Sequence, residues 1–219
     1  MQLLHDIFVL LKKEAILEWR QKYAIGGILL YVISTVFVVY IAFVRVDAKT
    51  WNVLFWIIIL FASVNAVMKS FVQENSRRQL YFYTLAHPTA IILSKILYNT
   101  LLLGLISCLT FVAMSFFTEN MVKDAGLFAL ILFLGSVGFS IAFTFIAAIA
   151  AKANNSATLM AIMGFPVVIP ILLTLVKLSA NALQLITDSG YWRDISILLA
   201  IDVILLTLVI ILFPYLWRD

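Results

Sequence analysis

Six long stretches almost free of charge dominate this chain of 219 residues: 24–44, 51–72, 91–117, 125–151, 157–178 and 195–217. Each reaches the ~20 residues needed to cross the hydrocarbon core of a bilayer. There a backbone amide without a partner costs several kcal/mol, so each stretch must be helical. Strands of a membrane barrel would run about ten residues with alternating polarity, and no such alternation occurs. The composition excludes a water-facing exterior: 64% of residues are apolar and 12% charged, against about half and a quarter in soluble domains. The expected fold class is an all-α membrane protein with six transmembrane helices.

Orientation follows from the basic residues. A cytoplasmic N-terminus puts Lys12, Lys13, Arg20, Lys22, Lys69, Arg77, Arg78, Lys95, Lys152 and Arg218 inside. It leaves Arg45, Lys49, Lys123, Lys177 and Arg193 outside. The positive-inside rule therefore predicts both termini in the cytoplasm. Trp51, Trp192, Tyr215 and Trp217 lie near span ends, where amphipathic rings favour the interface. The net charge of +4 follows this topology and does not point to nucleic acid. No cleavable signal is expected, because Lys12 and Lys13 follow the first apolar run instead of preceding it. Cys108 is the single cysteine, excluding an internal disulfide, and reads as a small hydrophobe.

The chain divides into an interfacial segment, 1–22, and a six-helix membrane domain, 23–219. In the first, Leu3, Leu4, Ile7, Phe8, Leu11 and Ala15 recur at helical spacing, which predicts an amphipathic helix on the cytoplasmic membrane surface. Glu14 and Glu18 fall near its apolar arc, either through imperfect amphipathicity or because they contact another helix or subunit. The longest cytoplasmic connection is 73–90. Ser76 and Gln79 fit a capping box and Pro88 stops a helix before His87, predicting a short helix at 76–86. Glu74, Arg77, Arg78, Tyr81 and Tyr83 suit either a partner contact or a helix resting on headgroups. On the other side, 179–194 is long enough for a short surface or re-entrant helix followed by a turn at Asp188-Ser189-Gly190.

Chemistry is sparse. No G-x-x-x-x-G-K-[ST], H-E-x-x-H, G-x-S-x-G or CxxC occurs, so neither a catalytic, cofactor-binding nor metal site is expected. His5 and His87 fall outside the spans. Asp202 is the one acidic residue well inside a span, where a charge costs roughly 2.5–3.5 kcal/mol and must face protein or water. It reads as a proton or substrate site, or as a helix–helix hydrogen bond to Asn65 or a serine. Gly135, Ser136, Gly138, Ser140, Thr144 and Ala148 form a small-residue packing face, within the chain or between two copies. Pro166 and Pro170 remove two backbone donors from the fifth span, making a kink or a hinge.

Several stretches together resemble a known family. Glu14 and Arg20 lie in the basic N-terminal helix; Leu85, Pro88 and Lys95 lie in LAHPTAIILSK. LGSVGFSIAF, Lys152 and LMAIMGFPVVIPILL, with Pro166 and Pro170, follow in order. The chain resembles the haem-exporter B permeases of cytochrome c maturation (CcmB), ABC-2-type transporter subunits, over nearly its whole length. It has Ala86-His87-Pro88 where the family often has a leucine- and proline-rich form. The resemblance implies a permease in the bacterial inner membrane, paired with itself and with two copies of a cytoplasmic ABC ATPase that binds the ATP. It further implies a haem-handling membrane protein and a periplasmic haem chaperone as partners, the complex handling haem or releasing the loaded chaperone. The tryptophan-rich haem-handling motif of that partner is absent; Tyr191-Trp192-Arg193-Asp194 does not replace it. Two other readings stay open: an ABC-2 permease for another lipid or drug, and a secondary transporter using Asp202.

Overall fold

The computed structural model describes residues 2–20, 22–43, 45–72, 87–150, 156–186 and 190–218, with side chains over 5–17, 26–43, 45–68, 87–150, 159–160, 162–186 and 190–215. Seven helices appear among them: α1 (Gln2–Arg20), α2 (Lys22–Ala42), α3 (Ala48–Val72), α4 (Pro88–Thr118), α5 (Ala125–Ala150), α6 (Ser156–Ala182) and α7 (Tyr191–Arg218). The described residues contain no strand. Five helices, α3 to α7, are long and apolar enough to cross a membrane, making this a multi-pass membrane protein. The described apolar part of α2, Gly26–Ala42, is shorter than a full span. The short helix expected at 76–86 lies outside the described residues.

Local chemistry moves several boundaries away from the expected ones. Helix α3 starts at Ala48 rather than 51 because Asp47 caps it: Asp47 Oδ2 accepts from the Thr50 backbone N–H (3.2 Å) and Oδ1 from the Thr50 hydroxyl (2.5 Å). Those bonds, the Thr50 hydroxyl first, hold the Asp47 carboxyl below its usual range. Helix α4 begins at Pro88, whose missing N–H has no acceptor in a first turn. Helix α6 runs on to Ala182, so the segment expected to be a loop from 179 is partly helix. Among the described residues no further helix lies between α6 and α7. Leu185 N donates to Ala180 O at 2.9 Å with Gln184 at φ 56, a left-handed C-terminal cap. Lys123 N and Asp124 N then donate to Ala182 O (3.1 and 3.0 Å), and Asp124 caps α5 through Leu127 N at 3.0 Å. At its far end α4 stops at Glu119, whose φ of 77 and ψ of 153 lie in a region nearly reserved for glycine, costing roughly 1–3 kcal/mol.

Helix α5 is the centre, packed against α3, α4, α6 and α7. Its small residues pack within the chain. A Cβ at Gly135 would meet Trp56 Cη2 at 2.9 Å, Trp56 Cζ3 at 3.0 Å and Leu175 Cδ1 at 3.1 Å. Trp56 cannot yield, since it is fully buried and its Nε1 donates to Ser179 Oγ at 2.8 Å. Ser179 Oγ in turn donates to Asn52 Oδ1 (2.6 Å), and Asn52 Nδ2 to Val176 O (2.8 Å). This network ties α3 to α6. Beside it Trp51 stacks on Phe55 at 5.2 Å between centroids and donates from Nε1 to Thr118 Oγ1 at 3.0 Å, tying α3 to the end of α4.

The glycines therefore differ in what they tolerate. Gly135→Ala is expected to destabilise the protein by about 1–3 kcal/mol through overpacking. Gly26 has nothing within 4 Å of its missing Cβ, so Gly26→Ala should be stabilising by about 0.5–1 kcal/mol on helix propensity alone. Thermal unfolding of the two variants in one detergent measures both. A Gly135→Ala protein that melts with or above wild type contradicts the close approach of Trp56.

Candidate functional site

Helix α1 presents Ile7, Leu10, Leu11, Glu14 and Leu17 at three- and four-residue spacing, and all five are buried or half-buried. This stripe lies against α4 and, to a lesser extent, α2. Phe8 and Ile16 are exposed on the other side of the helix. In the middle of the buried stripe sits Glu14, 8% exposed. Its Oε1 accepts from Lys95 Nζ of α4 at 3.4 Å and lies 3.2 Å from Lys13 Nζ. Lys95 is 2% exposed. It thus lies buried inside the bundle, away from solvent. The carboxylate at the interface between α1 and α4 gives that buried lysine an ionic partner.

A polar ladder continues from Lys95 into the membrane. Ser140 Oγ of α5 donates to Ile96 O at 2.7 Å, and Asn99 Nδ2 donates to Thr144 Oγ1 at 2.8 Å. One helical turn further along α4, Gly104 faces Ser136. The small face of α5 thus accepts α4 on one side and α7 on the other. Asp202 of α7 is buried, and a Cβ at Gly138 would lie 2.7 Å from its Oδ1 and 3.2 Å from Ile171 Cγ2. The carboxyl group fills the space that the glycine leaves. Neither oxygen has a hydrogen-bond partner among the described residues. The expected bond to Asn65 is absent because Asn65 is exposed on a different face.

The other site residues named from sequence separate in space. Pro166 and Pro170 sit inside an uninterrupted α6 and are both exposed, facing away from Asp202. Pro88 opens α4 two helical turns before Lys95. The residues Glu74, Arg77, Arg78, Tyr81, Tyr83 and Leu85 lie outside the described residues, as do the side chains of Glu18 and Arg20. Among the described residues no cluster of histidine, cysteine and carboxylate is placed to hold a metal ion. At the opposite end, Lys177 Nζ pairs with Asp194 Oδ2 at 2.7 Å, holding the start of α7 against α6. Sequence reasoning missed the roles of Lys95, Gly138 and Asn99. A lysine within an apolar run was the available signal, since such a charge needs a partner.

The contact between α1 and α4 can be tested. Glu14→Gln removes the carboxylate that faces Lys95 in this contact, and removing one partner of a buried pair costs up to about 3–5 kcal/mol. We expect amides of α1 to exchange at least about tenfold faster, while those of α5 keep their protection. Unchanged exchange in α1 would show that the apolar stripe alone holds this helix.

Comparison with curated proteins returns no match. A family profile described as "CcmB protein" matches residues 5–215, from the α1 helix that carries Glu14 to the last turns of α7. The chain belongs to the CcmB family, membrane permease components of the ABC system of cytochrome c maturation.

Proposed function

We propose that this chain is the permease subunit through which a separate cytoplasmic ATPase drives the complex, in the bacterial inner membrane. In this reading α2 is the sixth span, both termini are cytoplasmic, and α1 lies on the cytoplasmic face. Support for the sixth span comes from α2 as a whole, Lys22–Ala42, with 21 residues. A chain without a nucleotide-binding motif must receive ATP-driven motion through a contact. The observation that carries the proposal is the buried pair of Glu14 and Lys95. It joins the surface helix to α4 just after Pro88, where the 73–90 segment enters the membrane domain. Motion imposed on that segment or on α1 acts directly on α4. Arg77, Arg78 and Glu74 are the charges offered to the ATPase, and Tyr81 and Tyr83 the anchors. The ATP belongs to that partner, and the complex, with a haem-handling membrane protein and a periplasmic chaperone, handles the haem.

Purification of the complex in mild detergent tests this. An ATPase subunit should co-purify with the wild-type chain; its consistent absence overturns the ABC reading. Arg77→Glu combined with Arg78→Glu should release that subunit or uncouple its ATP hydrolysis, with the chain still in the membrane. If this variant keeps its ATPase and supports cytochrome c maturation, coupling runs through α1 with Glu14 and Glu18 instead.

A second reading, secondary transport, draws on one observation: both oxygens of buried Asp202 lack a partner among the described residues. Asp202→Asn keeps the shape that fills the Gly138 notch and removes the titratable group. We expect it to keep most cytochrome c maturation. Loss of function at normal membrane abundance would favour a proton-carrying role.

A further inference from the structure

Phe43, Arg45 and Val46, with the end of α4, border a cavity of about 510 Å³, well within the size of small-ligand sites. Along α4 its rim at Thr118 lies 23 residues beyond Lys95, about 35 Å at 1.5 Å per residue, so the cavity is at the end of the bundle opposite α1. Its walls are mixed. Tyr40, Phe43 and Phe117 form an apolar side, with Phe117 held between the rings of Phe37 (6.0 Å, edge-on) and Tyr40 (5.7 Å). The hydroxyl of Thr118 is already committed, accepting from Trp51 and donating to Met114 O at 2.7 Å. Arg45 and Glu119 supply opposite charges to the same cavity. Neither forms an ion pair or a side-chain hydrogen bond among the described residues.

Two features show that this arrangement is built. Glu119 occupies a backbone conformation that favours glycine, and strain of that kind collects where a side chain must be aimed. The two helices that line the cavity, α2 and α4, also carry the exposed apolar residues Val38, Ile41 and Val112. A cation and an anion facing one space without pairing fit a ligand that carries both signs. We propose that this cavity holds the headgroup of an amine-bearing zwitterionic phospholipid, of the phosphatidylethanolamine type. Its phosphate meets the Arg45 guanidinium and its ammonium donates to Glu119. The glycerol backbone lies along Tyr40 and Phe117, and the acyl chains follow the exposed apolar residues of α2 and α4. Phosphatidylcholine has no N–H to donate to Glu119. Phosphatidylglycerol brings a phosphate but no cation, leaving Glu119 facing an anion.

The full chain, reconstituted into bilayers of equal parts phosphatidylethanolamine, phosphatidylglycerol and phosphatidylcholine and then extracted, can be examined by native mass spectrometry for retained lipid. The wild type should enrich phosphatidylethanolamine over each of the others by about tenfold, the scale of one charge-assisted contact. Arg45→Gln should lower its retention about tenfold. Glu119→Gln should erase the preference over phosphatidylglycerol while phosphate capture persists. Glu119→Gly removes the same carboxylate and relieves the backbone, so it should melt no lower than wild type and show the same loss. This variant separates loss of binding from loss of fold. Equal retention of all three lipids by the wild type overturns the proposal. So does preferential retention of phosphatidylglycerol, or a wild-type lipid ratio in Glu119→Gly.

Discussion

Helices in a bilayer gain little by hiding apolar side chains from one another, because lipid tails are equally apolar; they associate by close packing and by polar contacts. Everything in this fold depends on how closely α5 can be approached. Gly135 admits the edge of Trp56, Gly138 admits the carboxyl of Asp202, and Ser140 reaches the main chain of α4. A larger side chain at any of these places would separate α5 from a neighbour and open the contacts on either side. The same small residues that shape the core also determine where polar groups can be buried. Asp202 is tolerated in α7 because a glycine faces it.

Composition and span length make the class of this protein legible. A 26-residue helix such as α5 is visible as an uninterrupted apolar run, and it starts at Ala125, where the sequence places it. Boundaries set by local hydrogen bonds are less visible. Asp47 and Gln184 extend α3 and α6 into segments that polarity alone assigns to loops. Long-range partners are the least visible. Glu14 and Lys95 are separated by 81 residues, and only packing shows that the acid near an apolar arc and the base within an apolar run meet. Asp202 stood out as costly, yet its neighbour is a glycine, and a residue without a side chain gives no sign in sequence of what it accommodates. Of the alternatives for Asp202, a bond to Asn65 does not form for the complementary reason: pairing two polar residues by depth ignores which face each presents, and Asn65 is exposed.

Pro166 and Pro170 illustrate a different limit. Sequence identifies two missing backbone donors but not the direction they face. In the structure both prolines are exposed, and α6 continues past them. The carbonyls they release are therefore on the lipid side of α6, while its buried stripe of Val168, Ile171, Leu175 and Leu178 keeps contact with the bundle. A bend here changes the outer profile of α6 without breaking its inner seam.

The two ends of the bundle differ in construction, and this difference bears on how motion could pass through it. At the far end the helices are clamped: backbone amides of Lys123 and Asp124 reach Ala182, and Lys177 holds Asp194. At the end near Pro88, α1 is held by an apolar stripe and, among the described residues, by the buried contact of Glu14 with Lys95. An element docked that way can tilt as a unit, since its own hydrogen bonds are internal. Glu14 of α1 touches Lys95, and Lys95 is one residue from Ile96, whose carbonyl accepts from Ser140 on α5. Because α5 contacts α3, α4, α6 and α7, the Glu14–Lys95 pair stands only two side chains from the centre of the bundle.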